Sequence, residues 1–362
     1  MVGKDCVISV GDVDVEIVWF DSMGAKSSSI LVKTPNASIL VDPGIAVMHP
    51  SFPASYEDKI RWFNEGYRRI LAAAKEADVV TLTHYHYDHF IDFEPRVYIG
   101  KTILAKNPNK YINDSQRKRA LSFYKNLLEH LGYNLETYLS SPQDTLEIPD
   151  PLKHIPKAMA KDYGDYSSRK KELIKKGLKW FWRRVEKWRR YPIIPELRLG
   201  KTRIFYADNK CFSFGRTRIC FSKPLFHGIE FSRVGWILMV MIEYKGIKIM
   251  HTSDVNGPII EDYVDYILSF KPDILFLDGP PTYLLGYTMN RINLERAINN
   301  GLAIIDGLTD KKSYIIYDHH VVREKNFIER TKPVWRKSAE LGVFFKPASN
   351  ICGYDPVVLG KQ

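Results

Sequence analysis

The chain lacks any apolar run near the roughly 20 residues a bilayer span requires. Its longest candidate, Val234 to Ile242, is the length of a strand, so no transmembrane segment is expected. The opening residues, Met1-Val2-Gly3-Lys4-Asp5, lack the apolar core of a signal peptide. Cysteine is scarce: Cys6, Cys211, Cys220 and Cys352 show no CxxC spacing. The simplest reading is reduced, partly buried thiols in a cytoplasmic protein. Glutamine occurs only at 116, 143 and 362 while lysine is abundant, a bias towards a thermophilic source. With 45% apolar and 13% aromatic residues, disorder is excluded.

The charge is uneven. Of the net +11, residues 151–203 hold 17 basic and 5 acidic side chains, +12, which leaves −1 for everything else. One segment is basic and the body is nearly neutral. The 362 residues are read as a single domain, 1–362, carrying a basic helical insertion at about 140–200.

Val13–Phe20, Ser28–Lys33, Ala37–Val41 and the buried run Val79–Leu82 read as strands. Tyr56–Lys75 and Ser115–Leu131 carry apolar residues at helical spacing, and Val97–Leu104 reads as a strand. Within the insertion, Lys170–Arg190 predicts a basic helix with Ile174, Leu178, Phe181, Val185 and Trp188 in one stripe. Strands resume at Arg203–Ala207, Thr217–Phe221, Gly235–Tyr244, Ile247–His251, Asp273–Leu277 and Ser313–Tyr317. Helices are expected at Tyr263–Phe270 and at Asn290–Asn300, the latter ending near Gly301.

The chemistry concentrates at strand ends. Thr83-His84-Tyr85-His86-Tyr87-Asp88-His89 packs three imidazoles and a carboxylate behind Val79–Leu82. In an extended chain His84, His86 and Asp88 face one side and His89 another, so one strand end could feed two metals. Later strands lead to His227, to His251 and Asp254, and to Asp318-His319-His320. Seven of the ten histidines lie at such ends, which solvated surface histidines would not do.

Thr83–His89 resembles the HxHxDH signature of metallo-β-lactamase-fold hydrolases, and the later His, Asp and His follow that family's order. Asp42, in Leu40-Val41-Asp42-Pro43-Gly44, matches its early Asp. The resemblance implies an α/β (α+β) fold, a four-layer αββα sandwich, with two divalent ions at one edge. It implies His84, His86 and His227 on one ion, and Asp88, His89 and either His319 or His320 on the other, with Asp254 bridging. Zinc is the first choice, with manganese or iron as alternatives. Iron-based electron-transfer members carry an acid where His86 stands, so His86 favours hydrolysis. A longer resemblance, through Asp21–Ser28, Lys106-Asn107-Pro108, Phe221–Gly228, Ser253–Pro258 and Gly279–Tyr283, is to an archaeal branch of the same fold. It strengthens fold and site but not substrate.

Asp88 or Asp254 would orient the attacking water and carry a proton. His251 reads either as a proton donor or ligand-orienting residue, or as a histidine packed in the core. Asp318 could hydrogen-bond a ligand histidine; Asp278 reads first as a turn residue. Ser115, Gln116 and Arg117 open a helix suited to a phosphate, or simply cap it. Tyr283 sits on an expected rim loop. Trp180, Trp182 and Trp188 among lysines and arginines suit single-stranded nucleic acid on residues 170–190. Packing on the body, homo-oligomer contact or an anionic membrane surface are the competing roles.

The leading reading is a dinuclear hydrolase acting on a phosphodiester, including nucleic acid. The second is a hydrolase of a small ester, thioester or lactone with the insertion as lid or oligomer arm. The third is a non-catalytic, metal-containing binding protein.

Overall fold

The computed structural model describes residues 6–360 apart from Asp144 and Leu146. The opening pentapeptide and Gln362 lie outside the described residues. The strands run β1 (Val7–Val10), β2 (Val13–Phe20), β3 (Ser28–Thr34), β4 (Ala37–Val41), β5 (Val79–Leu82), β6 (Thr102–Ala105), β7 (Leu197–Leu199) and β8 (Thr202–Tyr206). There follow β9 (Cys211–Phe214), β10 (Thr217–Phe221), β11 (Leu225–Phe226), β12 (Trp236–Ile237), β13 (Val240–Tyr244), β14 (Ile247–His251), β15 (Ile274–Asp278), β16 (Tyr314–Asp318) and β17 (Phe344–Lys346).

One sheet orders as β1-β2-β3-β4-β5-β6-β8-β7, the other as β17-β16-β15-β14-β13-β10-β9, and β11 and β12 form a separate ribbon. The pairs from β4 through β8 and from β14 through β17 are parallel. Parallel strands are covered on both faces and read as continuous apolar runs. That is why β5 (VVTL) and β15 (ILFLD) are buried at every position.

The two sheets lie face to face. Phe20 stacks on Phe276 at 5.7 Å between ring centroids, and Thr34 Oγ1 meets Thr217 Oγ1 at 2.7 Å. Helices form the outer layers. Tyr56–Glu76, whose N-cap Ser55 accepts from the Asp58 N–H, packs on β2 and β4. Lys332–Glu340 packs on β17 and on Arg291–Leu308, which in turn meets Asp262–Phe270. The result is the αββα sandwich.

Several boundaries differ from the sequence reading. Val97–Leu104 is not one strand: a short helix spans Pro95–Tyr98, and β6 begins only at Thr102. Glu94 caps that helix, Pro95 starts it, and Gly100 turns the chain at φ 78°. The expected Gly235–Tyr244 strand changes partners midway. Leu238 N–H donates to the Thr83 carbonyl (3.2 Å) and Met239 N–H to Ser222 Oγ (2.9 Å), splitting it into β12 and β13. The helix expected to stop near Gly301 continues to Leu308. Gly301 is an approach point rather than a cap: Val334 comes within 3.0 Å of where a Cβ would stand.

The cysteine reading is corrected outright, since Cys6 bonds to Cys352 and Cys211 to Cys220. Cys211 and Cys220 face each other across the β9–β10 hairpin, whereas the first pair joins positions 346 residues apart. This removes the redox argument for a cytoplasmic location. Among the described residues no helix is long and apolar enough to cross a membrane.

The basic helix is observed over Ser167–Arg190, between β6 and β7. Phe181, Val185 and Trp188 of its stripe are buried, while Ile174 and Leu178 are half-buried. Buried Arg296 pairs with Glu230 and Glu261, both 2.8 Å from Nη2. Lys170 of the basic helix also reaches Glu230, tying the insertion to the second sheet's helices.

Candidate metal centre

Every candidate ligand sits at or just beyond the end of a strand. His84, His86, Asp88 and His89 follow β5, His227 follows β11, Asp254 follows β14, and His319 and His320 follow β16. Asp42, Ser253, Asn256 and His319 hold positive φ between 47° and 64°, a region most side chains avoid. Such backbone persists where surrounding contacts over-determine it, commonly at active sites.

The ligand atoms converge in three overlapping groups, each with its atoms within 4.8 Å of one another: His84, His86, His227 and Asp254; Asp88, His89 and His319; and Asp254, His319 and His320. Asp254 stands between the rings. Its Oδ2 is 2.9 Å from His227 Nε2 and 3.5 Å from His84 Nε2, and its Oδ1 is 2.8 Å from His89 Nε2 and 3.2 Å from His319 Nε2. Both histidines of the 319–320 pair face the cluster, but differently. His319 Nε2 is 3.2 Å from His89 Nε2, while His320 turns its Nδ1 to Asp278 Oδ1 at 2.8 Å.

The donor set fits divalent ions. Asp254 Oδ1 is buried among ring nitrogens yet receives no hydrogen bond, and His227 Nδ1 is likewise without a partner. His84 Nε2 faces His86 Nδ1 at 2.9 Å. The outward nitrogens are occupied: His84 Nδ1 by Thr83 Oγ1 (3.2 Å), His89 Nδ1 by Asp42 Oδ2 (2.7 Å), and His319 Nδ1 by Asp21 Oδ1 (3.1 Å). Outer partners of this kind fix the tautomer and leave the inward nitrogen free to ligate.

Without metal, protons compensate. Burial disfavours charge on His89, but the Asp254 and Asp42 carboxylates outweigh it and raise the imidazole to about 10. His319 is raised well above its usual range by Asp21 and Asp254, again against burial. His84 falls to about 4 through burial and the charge of His89. Asp278 rises to about 7 through burial and the nearby Asp254 charge.

The other candidates separate clearly. Gln116 belongs to the site: its Nε2 lies 3.3 Å from His86 Nε2 and donates to the Val234 carbonyl at 2.8 Å. Ser115 donates to Asn113, the N-cap, and Arg117 turns away to the Pro192 carbonyl (2.8 Å). Tyr283 accepts from Arg323 Nη1 at 3.1 Å. His251 does not join the cluster. Its Nε2 lies 2.9 Å from the Ser28 carbonyl, its Nδ1 accepts from Ser253 N–H, and its ring stacks on Phe276. Asp318 reaches a candidate ligand histidine only through its backbone: it accepts the N–H groups of Ser22, His319 and Ala348.

Asp21 and Arg323 were not singled out in the sequence as site residues. Arg323 is bonded through Nε to Asp21 and lies 3.4 Å from Asp88 Oδ2 through Nη2. The sequence signals for Asp21 were its place at the end of an apolar strand and its membership of the Asp21–Ser28 resemblance.

A cavity of ≈ 490 Å³ opens over the cluster. His86, Asp88, His227, Asp254 and His320 form its floor, and Ile229, Phe231, Val234, Ile259, Leu284 and Met289 its walls. A larger cleft of ≈ 620 Å³, between residues 158–163 and the first half of the basic helix, contains none of these ligands. Of the insertion's tryptophans, Trp188 is buried, Trp180 is stacked on Trp236 at 5.6 Å, and Trp182 is 40% exposed.

Fold and ligand cluster together define a protein of the metallo-beta-lactamase superfamily, whose family model matches residues 24–108. The chain is 31% identical over 333 residues to a UPF0282 protein of Methanopyrus kandleri, covering 88% of each. It belongs to that UPF0282 family. A UPF0282 protein of Methanocaldococcus jannaschii is 28% identical over 332 residues, again 88% of each chain. Among solved structures, the metallo-beta-lactamase fold protein YhfI from Bacillus subtilis aligns over 85% of each chain at 14% identity and a TM-score of 0.38. Human tRNase Z, short form, aligns over 82% of this chain and 90% of its own at 14% identity and a TM-score of 0.32.

Proposed function

We propose that the chain is a dinuclear metal-dependent hydrolase acting on a small ester, thioester or lactone. The observation that carries this reading is the convergence of two ligand groups about Asp254, with His86, Asp88, His227 and Asp254 on the floor of an apolar-walled cavity. Such walls suit a compact organic substrate whose scissile group alone meets polar atoms. His84, His86 and His227 would hold one ion, and Asp88, His89 and His319 the other, with Asp254 shared. Zinc suits this nitrogen- and oxygen-rich set. When bound, the ions would supply Lewis acidity and an acidified water.

The chain's own residues do the rest. The apolar walls exclude bulk water and orient the acyl body. His320, its Nδ1 held by Asp278, lines the cavity beside the ligands and can orient the leaving group. Asp88 is steadied by Arg323 and lines the same floor. A phosphodiester is the second reading, favoured by the single cation on the cavity lining, Arg233.

The test combines elemental analysis with initial rates on a nitrophenyl ester and on bis-nitrophenyl phosphate. Two ions per chain and metal-dependent ester hydrolysis, lost by at least about 10³-fold in His84→Ala and Asp254→Ala, are expected. Faster turnover of the phosphodiester would replace the ester reading with the second one. Metal without activity on either would leave a binding protein.

A further inference from the structure

The basic insertion meets the cavity lining at Phe231, beneath Gly177, and at Arg233. Arg233 lines the cavity, and its guanidinium lies 4.4 Å from the centroid of the Trp180 ring. Arg184 lies 5.5 Å from the same ring. Trp180 is itself fixed, stacked at 6° on the buried Trp236. The loop carrying Arg233 is pinned from below: Asn113 Nδ2 donates to the carbonyls of Arg233 (2.9 Å) and Val234 (2.7 Å), and Gln116 adds a bond to Val234.

Charge at this mouth is unbalanced. Arg184 pairs with Asp114, a carboxylate it shares with Lys187 at 3.1 Å. Among the described residues neither Arg183 nor Arg233 has an ion-pair partner. Burial lowers the Arg233 proton affinity, and the Arg184 and Arg183 charges lower it further. Like charges gathered on a rigid platform cost free energy until an anion arrives, and planar guanidinium forks match phosphate oxygens in pairs.

We propose that Arg184 and Arg233, set around Trp180, together with Arg183 of the same helix, form an anion subsite at the cavity mouth, and that the substrate is an ester joining an apolar body to a phosphate-bearing head. The apolar body occupies the walls formed by Ile229, Phe231, Ile259, Leu284 and Met289, and the head is held at the arginines. The placement of a scissile bond between them rests on the hydrolase reading; the subsite itself does not. A single-stranded nucleic acid is the lesser fit, because it needs several open aromatic faces: Trp188 is buried, one face of Trp180 lies on Trp236, and Trp182 alone of the three is exposed.

The experiment is calorimetric titration of the full chain, zinc-loaded, with decyl phosphate, decanol and inorganic phosphate. Decyl phosphate should bind at least tenfold more tightly than either of the others. The double variant Arg183→Ala/Arg233→Ala should lose that factor while keeping the affinity for decanol. Raising salt from about 50 to 200 mM should weaken decyl phosphate on the parent and spare the variant. Unchanged decyl phosphate affinity in the variant overturns the subsite. Tighter binding of single-stranded RNA than of decyl phosphate, lost in the same variant, overturns the substrate class. Arginine-dependent binding without hydrolysis of any ester supports the subsite and sinks only the hydrolase reading.

Discussion

Asp21 Oδ1 lies 3.1 Å from His319 Nδ1, across 298 residues of chain. Its other oxygen holds Arg323, which reaches Asp88. Asp42 backs His89 in the same way. The Asp88–His89–His319 half of the centre is therefore supported by two buried carboxylates. The His84–His86–His227 half is supported by the hydroxyls of Thr83 and Ser253 and the amide of Gln116. A carboxylate behind an imidazole makes the ring a stronger ligand, so under the dinuclear proposal the two halves should differ in affinity.

Asp21→Asn should weaken one of the two ions by about 10–100-fold and leave the other in place. Titration with a coloured chelator would resolve two classes of ion in the parent and show one displaced in the variant. Equal loss of both ions would contradict the division of the site.

Metal loading should release protons. In the metal-free chain His89 is held up to about 10 by Asp254 and Asp42 and so keeps a proton at pH 8, and His319 is shifted in the same direction by Asp21 and Asp254. A ligating imidazole must give its proton up. Affinity should therefore climb as pH rises towards the His89 value. Calorimetry in buffers of differing ionisation enthalpy counts the protons; a count of zero at pH 8 would remove His89 from the ligand set.

Gly177 of the basic helix is buried against Phe231, a cavity wall; a Cβ there would come within 2.5 Å of that ring. Gly177→Val should cost about 1–3 kcal/mol through overpacking. It should also raise KM more than it lowers kcat, because the wall moves and the floor does not. A melting curve and a Michaelis plot on the same preparation check both.

Arg296→Met should be severe. The residue is 1% exposed and neutralises Glu230 and Glu261 together. Removing one side of a buried ion pair costs about 3–5 kcal/mol. Urea unfolding should register the loss, and Arg296→Met combined with Glu230→Gln should recover part of it.

The metal cluster was legible because its ligands are local to strand ends, and β5 announces itself by four buried apolar or β-branched residues before His84. What escaped the sequence is long-range. Nothing near Asp21 signals a histidine 298 positions away, and the Cys6–Cys352 bond has no local spacing to betray it. Gly301 misled because a helix-stopping glycine and a helix-contact glycine look alike without the neighbouring helix. His251 shared the strand-end position of the candidate ligands, yet its Nε2 is bonded to the Ser28 carbonyl. The split between β12 and β13 depends on the Thr83 carbonyl, which only the folded chain brings within reach.

The Cys6–Cys352 bond turns nearly the whole chain into a covalent ring. Asp21, every ligand from His84 to His320, and the basic helix all lie inside that ring. A protease that cuts once at any loop between these cysteines opens the ring without separating the fragments, so the donors from the two sheets stay tethered at high effective concentration and can close again around an ion. Only a second cut, or a reductant, lets one half of the centre diffuse from the other.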